Sequence, residues 1–301
     1  MPVAHRPPAK IHPELDFNNR SIPHRIWDSL VHPIVRLPVE IPWNLKEFSK
    51  LYVTAAMYYL LGSVLPLAVI FGATMFAVHM WPENMVDILL DSSGEPNKQL
   101  MLAAMVTSFV SGFGAELWYF NAQLKKAGLG LVQILHLNLD SLNGKWTEAL
   151  KRSSYALVLG LAGQDLIERL PQLPHPHQVT ADLAQGLQGP SLLAFGLLAA
   201  VMAPFFEEIV FRGFIFNSFR KVFREGRIFK LVGSERMADY WAVGLSGLIF
   251  AAAHMDATAF LQLFLLGIIL AELYRRSGTL VCPMLLHAMN NIVATMLIVG
   301  K

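Results

Sequence analysis

Two adjacent carboxylates, Glu207 and Glu208, and one guanidinium, Arg212, stand inside the stretch Pro204-Phe-Phe-Glu-Glu-Ile-Val-Phe-Arg-Gly213, whose other residues are apolar enough for a bilayer interior. A charged side chain at that depth costs about 3 kcal/mol or more even on the mildest insertion scales, so ionisable groups there face a protein interior and mark a site. Two further polar clusters follow, Phe250-Ala-Ala-Ala-His254 and His287-Ala-Met-Asn-Asn291. Residues four apart stack on one helical face. Glu208 and Arg212 therefore point the same way, His287 and Asn291 share a face, and Glu207 lies on the face beside Glu208.

A carboxylate, two imidazoles and an amide on three helices can support hydrolysis by two routes. In the first, the carboxylate beside an imidazole deprotonates a water, while an imidazole and an amide hold the oxyanion of a tetrahedral intermediate. In the second, Glu207, His254 and His287 form a His₂Glu zinc site that keeps one position open for water. The soluble metalloprotease motif His-Glu-x-x-His is absent. Spacing alone leaves both routes open.

These residues need membrane helices to hold them, and the composition supplies them. The 301 residues are 54% hydrophobic and 15% charged, which reads as a multi-pass integral membrane protein of the all-α class. A net charge of +2 provides no basic field for nucleic acid, and a single cysteine, Cys282, rules out an intrachain disulfide. Residues 1–50, rich in Pro, His and charge, are expected to form a tail, with an amphipathic stretch at 25–36. Apolar runs at 51–80, 100–120, 154–168, 191–218, 240–255, 258–274 and 279–299 predict about seven transmembrane helices, the third the weakest. They divide into an N-terminal group, 51–185, and a C-terminal region, 186–301, that carries every motif above.

Loop charges orient the bundle. Glu83, Asp87, Asp91 and Glu95 face Lys98 alone in the first loop, whereas the second carries Lys125, Lys126, Lys145, Lys151 and Arg152. Arg220, Lys221, Arg224, Arg227, Lys230 and Arg236 follow in the fourth, and Arg275 and Arg276 in the last. This alternation places the N-terminus in the cytoplasm of a cell (inner) membrane and the C-terminus outside. Counting 1.5 Å per residue from the cytoplasmic ends, Glu207 lies about 17 Å deep, His254 about 21 Å, His287 about 12 Å and Asn291 about 18 Å. The expectation is one shared, water-filled polar cavity in the membrane.

Each group also has a plainer reading. Glu208 and Arg212 can be a helix ion pair, His254 a structural histidine, and His287 with Asn291 helix-packing contacts; their coincidence in depth and order favours a site. Glu116 and Glu272 read as interfacial partners of nearby lysines and arginines. His175-Pro-His177 reads as a turn rather than a metal pair. Pro204 should loosen its helix and free a carbonyl toward the cavity.

Glu207-Glu208-x-x-x-Arg212, Phe250-x-x-x-His254 and His287-x-x-x-Asn291, with Gly267 and the run Tyr274-Arg-Arg-Ser-Gly-Thr-Leu280, resemble the pattern of the CAAX prenyl protease and bacteriocin-processing family over about 190–299. The resemblance implies an intramembrane endopeptidase acting on membrane-associated proteins or peptides. It assigns Glu207 with His254 to water activation, His287 and Asn291 to the oxyanion or a zinc ion, and Glu208 with Arg212 to a supporting pair. Two alternatives stay open. One is a non-proteolytic immunity or resistance factor, or scaffold, on the same fold; the other is a proton-coupled transporter, which the lack of an internal repeat disfavours.

Overall fold

A computed structural model describes residues 41–43, 45–80, 89–90, 97–131, 146–168, 184, 186–224 and 233–299. The expected tail stretch 25–36, the four acidic residues of the first loop, Lys145, His175, His177, Arg227 and Lys230 lie outside the described residues. Each of the seven apolar runs is helical: α1 (Leu45–Met80), α2 (Lys98–Lys126), α3 (Trp146–Glu168), α4 (Gly189–Arg224), α5 (Glu235–Ala253), α6 (Phe260–Ser277) and α7 (Val281–Val299). Of these, α1, α2, α4 and α7 are long and apolar enough to cross a bilayer. Charges shorten the apolar runs of the others, with Lys151 and Arg152 in α3, Asp239 in α5 and Glu272, Arg275 and Arg276 in α6.

The outward face of α1 is that of a helix solvated by lipid. Val53, Leu60, Leu61, Leu65, Val69, Phe71 and Phe76 are all more than half exposed, a continuous apolar surface that water does not tolerate. Residues 45–50, polar enough to read as tail, open this helix, with the acidic Glu47 in its first turn, where the helix dipole favours a negative charge. Ahead of it, Ile41 and Trp43 are buried. Trp43 donates from Nε1 to Ser218 Oγ at 2.9 Å and stacks on Phe120 and Phe214, which themselves stack at 4.1 Å. These rings join α1, α2 and α4 in one core.

Two glycines set the distance between α5 and α6. A Cβ on Gly267 would stand 2.8 Å from Gly247 Cα and 3.2 Å from the Phe250 ring, so the two backbones touch where no larger residue fits. At one end of α4, α5 and α6, Asp239 receives Arg220 at 2.9 Å and Arg224 at 2.7 Å, and Glu272 binds Arg275 through both oxygens at 2.7 Å and pairs with Arg276. Glu272 is the ion-pair partner its neighbours Arg275 and Arg276 suggest.

Helix α4 does not keep one register. It passes from α-helix into π-helical turns at Leu198–Met202, returns at Ala203–Glu208, and widens again at Ile209–Phe216. π-Turns inside α-helices recur at functional sites, and this pair brackets the two glutamates.

Candidate active site

The site grows from α4. Glu208 and Arg212, fully buried, form an ion pair with Arg212 Nη1 2.9 Å from Glu208 Oε1. Arg212 Nη2 donates to Gly267 O at 3.2 Å, and the guanidinium lies 4.6 Å from the centre of the Phe250 ring. The glycine contact between α5 and α6 is what brings that carbonyl and that ring within reach. Arg212 thereby fastens α4 to both neighbours, as a rigid, multi-donor guanidinium can and a lysine cannot.

His287 enters from α7. Its Nδ1 stands 2.9 Å from Glu208 Oε1, and its Nε2 stands 3.8 Å from Glu207 Oε2. A carboxylate paired with a guanidinium accepts, so Nδ1 carries the hydrogen. His254, at the C-terminal cap of α5, places Nδ1 2.8 Å from Phe250 O and Nε2 3.8 Å from Glu207 Oε2. A carbonyl only accepts, so here too Nδ1 is the protonated nitrogen. Both imidazoles therefore turn Nε2 toward one carboxylate oxygen, Glu207 Oε2, which is buried and has no hydrogen-bond partner among the described residues. Such a cluster is stable only if it shares a proton or a water, the requirement for acid-base chemistry.

The two glutamates thus differ as their faces imply. Glu208 is locked between Arg212 and His287, while Glu207 faces a cavity of about 450 Å³. His254 lines that cavity beside Glu207, its side chain 30% exposed; His287 sits behind, 3% exposed. The remaining wall is largely aromatic, from Tyr52 and Tyr59 of α1, Phe109 and Phe113 of α2, and Phe211 of α4.

Asn291 is turned elsewhere. Its Nδ2 donates to Ala199 O at 2.8 Å, and the cause lies in the register of α4. In the π-turn, Ala203 N–H reaches Leu198 O; the next donor in that pattern would serve Ala199 O, but it is Pro204, which has no N–H. The carbonyl that Pro204 frees is thus taken up by Asn291, across the α4–α7 contact. Of the groups expected at one depth, Glu207, His254 and His287 come together; Asn291 packs the helices behind them.

One residue of the cavity was misjudged from sequence. Glu116 stands ten residues before the Lys126 end of α2, about 15 Å along the helix. It is 8% exposed and lines the same cavity as Glu207 and His254. The signal was available: like Glu207, it is an acid in an apolar run, Phe113 to Phe120.

The zinc alternative can be weighed on the donors. Two imidazole nitrogens and a carboxylate oxygen are suitable in kind, with the Nδ1 atoms held by a carbonyl and a carboxylate as metal-bound histidines usually are. Their spacing is less suitable. Among the described residues no group of three His, Cys, Asp or Glu side chains is gathered closely enough to hold a metal ion.

Residues 189–293, about a third of the chain, match the family model described as type II CAAX prenyl endopeptidase Rce1-like. The match covers α4, α5 and α6 and most of α7, and so includes every residue of the three motifs. No curated protein and no solved structure matches the chain.

Proposed function

We propose that the protein is an intramembrane endopeptidase whose general base is Glu207, a reading supported by the match of residues 189–293 to the type II CAAX prenyl endopeptidase Rce1-like family model. The observation that carries this reading is the convergence of His254 Nε2 and His287 Nε2 on Glu207 Oε2, each at 3.8 Å, at the wall of a cavity. A water held at Glu207 Oε2 gives up a proton to that oxygen as its own oxygen attacks the scissile carbonyl carbon. His254, which shares the cavity with Glu207, meets the oxyanion or the leaving amine as an imidazolium, its Nε2 having taken up a proton while Nδ1–H stays on Phe250 O. The proton taken by Glu207 passes to the departing nitrogen as the C–N bond breaks, and the carboxylate is restored.

The other residues act through these two. Glu208 holds the His287 ring by Nδ1, and His287 in turn fixes Glu207 from behind the cavity. Arg212 neutralises Glu208, and Asn291 sets the packing of α7 on α4. The apolar, aromatic wall favours a substrate that arrives through the membrane. The orientation read from loop charges would open the site toward the cytoplasmic half of the bilayer.

The test is cleavage by the purified full-length protein in nanodiscs of a prenylated CAAX peptide and its unprenylated twin, with and without chelator, beside Glu207→Gln. Cleavage by the wild type that is lost in the variant supports the reading. Equal cleavage by both proteins overturns it.

A further inference from the structure

The cavity holds a second carboxylate that the reaction above does not use. Glu116 is more than nine-tenths buried, lines the cavity, and has no hydrogen bond or ion pair among the described residues. No Lys or Arg among the described residues lines the cavity; its ionisable groups are Glu116, Glu207 and His254, with the two tyrosines Tyr52 and Tyr59. Glu116 and Glu207 line this one cavity together.

Resting on the endopeptidase reading, we infer that Glu116 is a specificity-determining residue that receives a cationic side chain, Lys or Arg, of the peptide whose scissile bond lies at Glu207. An apolar surround favours the neutral form of a carboxyl group, and a cation arriving beside it favours the charged form, so an unpartnered carboxyl at a cavity wall is suited to receive one. Phe113, three residues earlier on the same face of α2, and the two tyrosine rings add aromatic faces, which attract cations most strongly away from water. The chamber is also large enough, at about 450 Å³, for a side chain together with part of the backbone. Between Glu116 and Glu207 the chain would run through apolar wall, so the site reads one basic residue at a fixed distance from the cleaved bond. An acidic side chain at that position would meet Glu116 and be rejected.

The experiment uses full-length protein in nanodiscs and fluorescent farnesylated peptides in which Lys, norleucine or Glu is placed at successive positions N-terminal to the lipidated cysteine. Binding is measured first, on the wild type and on Glu116→Gln. The expected result is a Lys peptide bound about tenfold tighter than its norleucine twin at one position in the wild type, with that difference gone in Glu116→Gln and norleucine binding unchanged. Equal affinity of Lys and norleucine peptides for the wild type at every position overturns the inference, as does a Lys preference that survives in Glu116→Gln. Equal weakening of all peptides in Glu116→Gln also overturns it, since that marks a structural role. Cleavage of the same peptides separates the two ideas: a Lys preference in binding with no turnover of any peptide refutes the endopeptidase reading and leaves the cation site standing.

Discussion

His287 and Glu208 meet at 2.9 Å through Nδ1 and Oε1, and that same oxygen receives Arg212 at 2.9 Å. One buried carboxylate oxygen therefore joins α7 to α4 and, through Arg212, to Gly267 of α6. The second ring nitrogen of His287 is left facing Glu207. Glu208 is in this sense the residue that aims the imidazole, although it does not face the cavity.

Glu208→Gln should consequently impair turnover without abolishing substrate binding. Residues that orient a functional histidine typically account for about 10–100-fold, so kcat should fall by that factor with KM little changed. Loss of the buried counter-charge to Arg212 should also cost about 3–5 kcal/mol of stability, read as a lowered unfolding temperature in nanodiscs.

Replacing the whole pair separates stability from chemistry. Glu208→Leu with Arg212→Met puts apolar volume where a buried ion pair stood, an exchange that is often neutral or stabilising by about 1–4 kcal/mol. The double variant should unfold at or above the temperature of either single variant and still cleave poorly, because the His287 ring has lost its acceptor. Thermal unfolding and peptide cleavage of the three variants together check this.

Pro204 and Asn291 should be energetically coupled. Asn291→Ala leaves Ala199 O unpaired in a partly buried setting, at a cost of about 1 kcal/mol. Pro204→Ala returns a backbone N–H to α4 that can serve that carbonyl. In a double-mutant cycle on unfolding, the cost of Asn291→Ala should shrink markedly in the Pro204→Ala background. Additive costs would show that the two residues do not share the carbonyl.

Much of this was legible beforehand, and the exceptions have physical causes. Hydropathy located all seven helices, since apolar runs long enough for a bilayer interior have few other folds open to them. Four-residue spacing found the Glu208–Arg212 pair, because a helix fixes what its own face contains. The bond from Asn291 to Ala199 depends on a π-turn, which shifts the register by one residue and leaves no mark in the hydrophobic pattern. The contact of His287 with Glu208 rather than with Asn291's neighbourhood depends on how α7 is rotated against α4, and spacing within α7 carries no information about that rotation. Glu116 escaped because charge neighbours in sequence were weighed above depth along α2.

Gly267→Ala should be destructive despite the preference of helices for alanine. The new methyl would meet Gly247 Cα at 2.8 Å and Gly247 O at 3.0 Å, backbone atoms that move only if α5 and α6 separate. Overpacking of this kind costs about 1–3 kcal/mol, more than the roughly 1 kcal/mol that alanine gains over glycine in a helix. Separation also lengthens the bond from Arg212 to Gly267 O, so stability and cleavage should fall together. Unfolding temperature and cleavage rate of the single variant provide the check.

We propose that the Glu207 carboxylate itself activates the water, without a metal ion. The most direct measurement is single-turnover cleavage of a farnesylated peptide by the full-length protein in nanodiscs with chelator present, comparing wild type and Glu207→Gln. The account predicts that the wild type cleaves at an undiminished rate and that the variant is slowed about 10²–10⁴-fold, the range of a lost general base. Cleavage by Glu207→Gln at the wild-type rate, or loss of wild-type activity to the chelator, would contradict it.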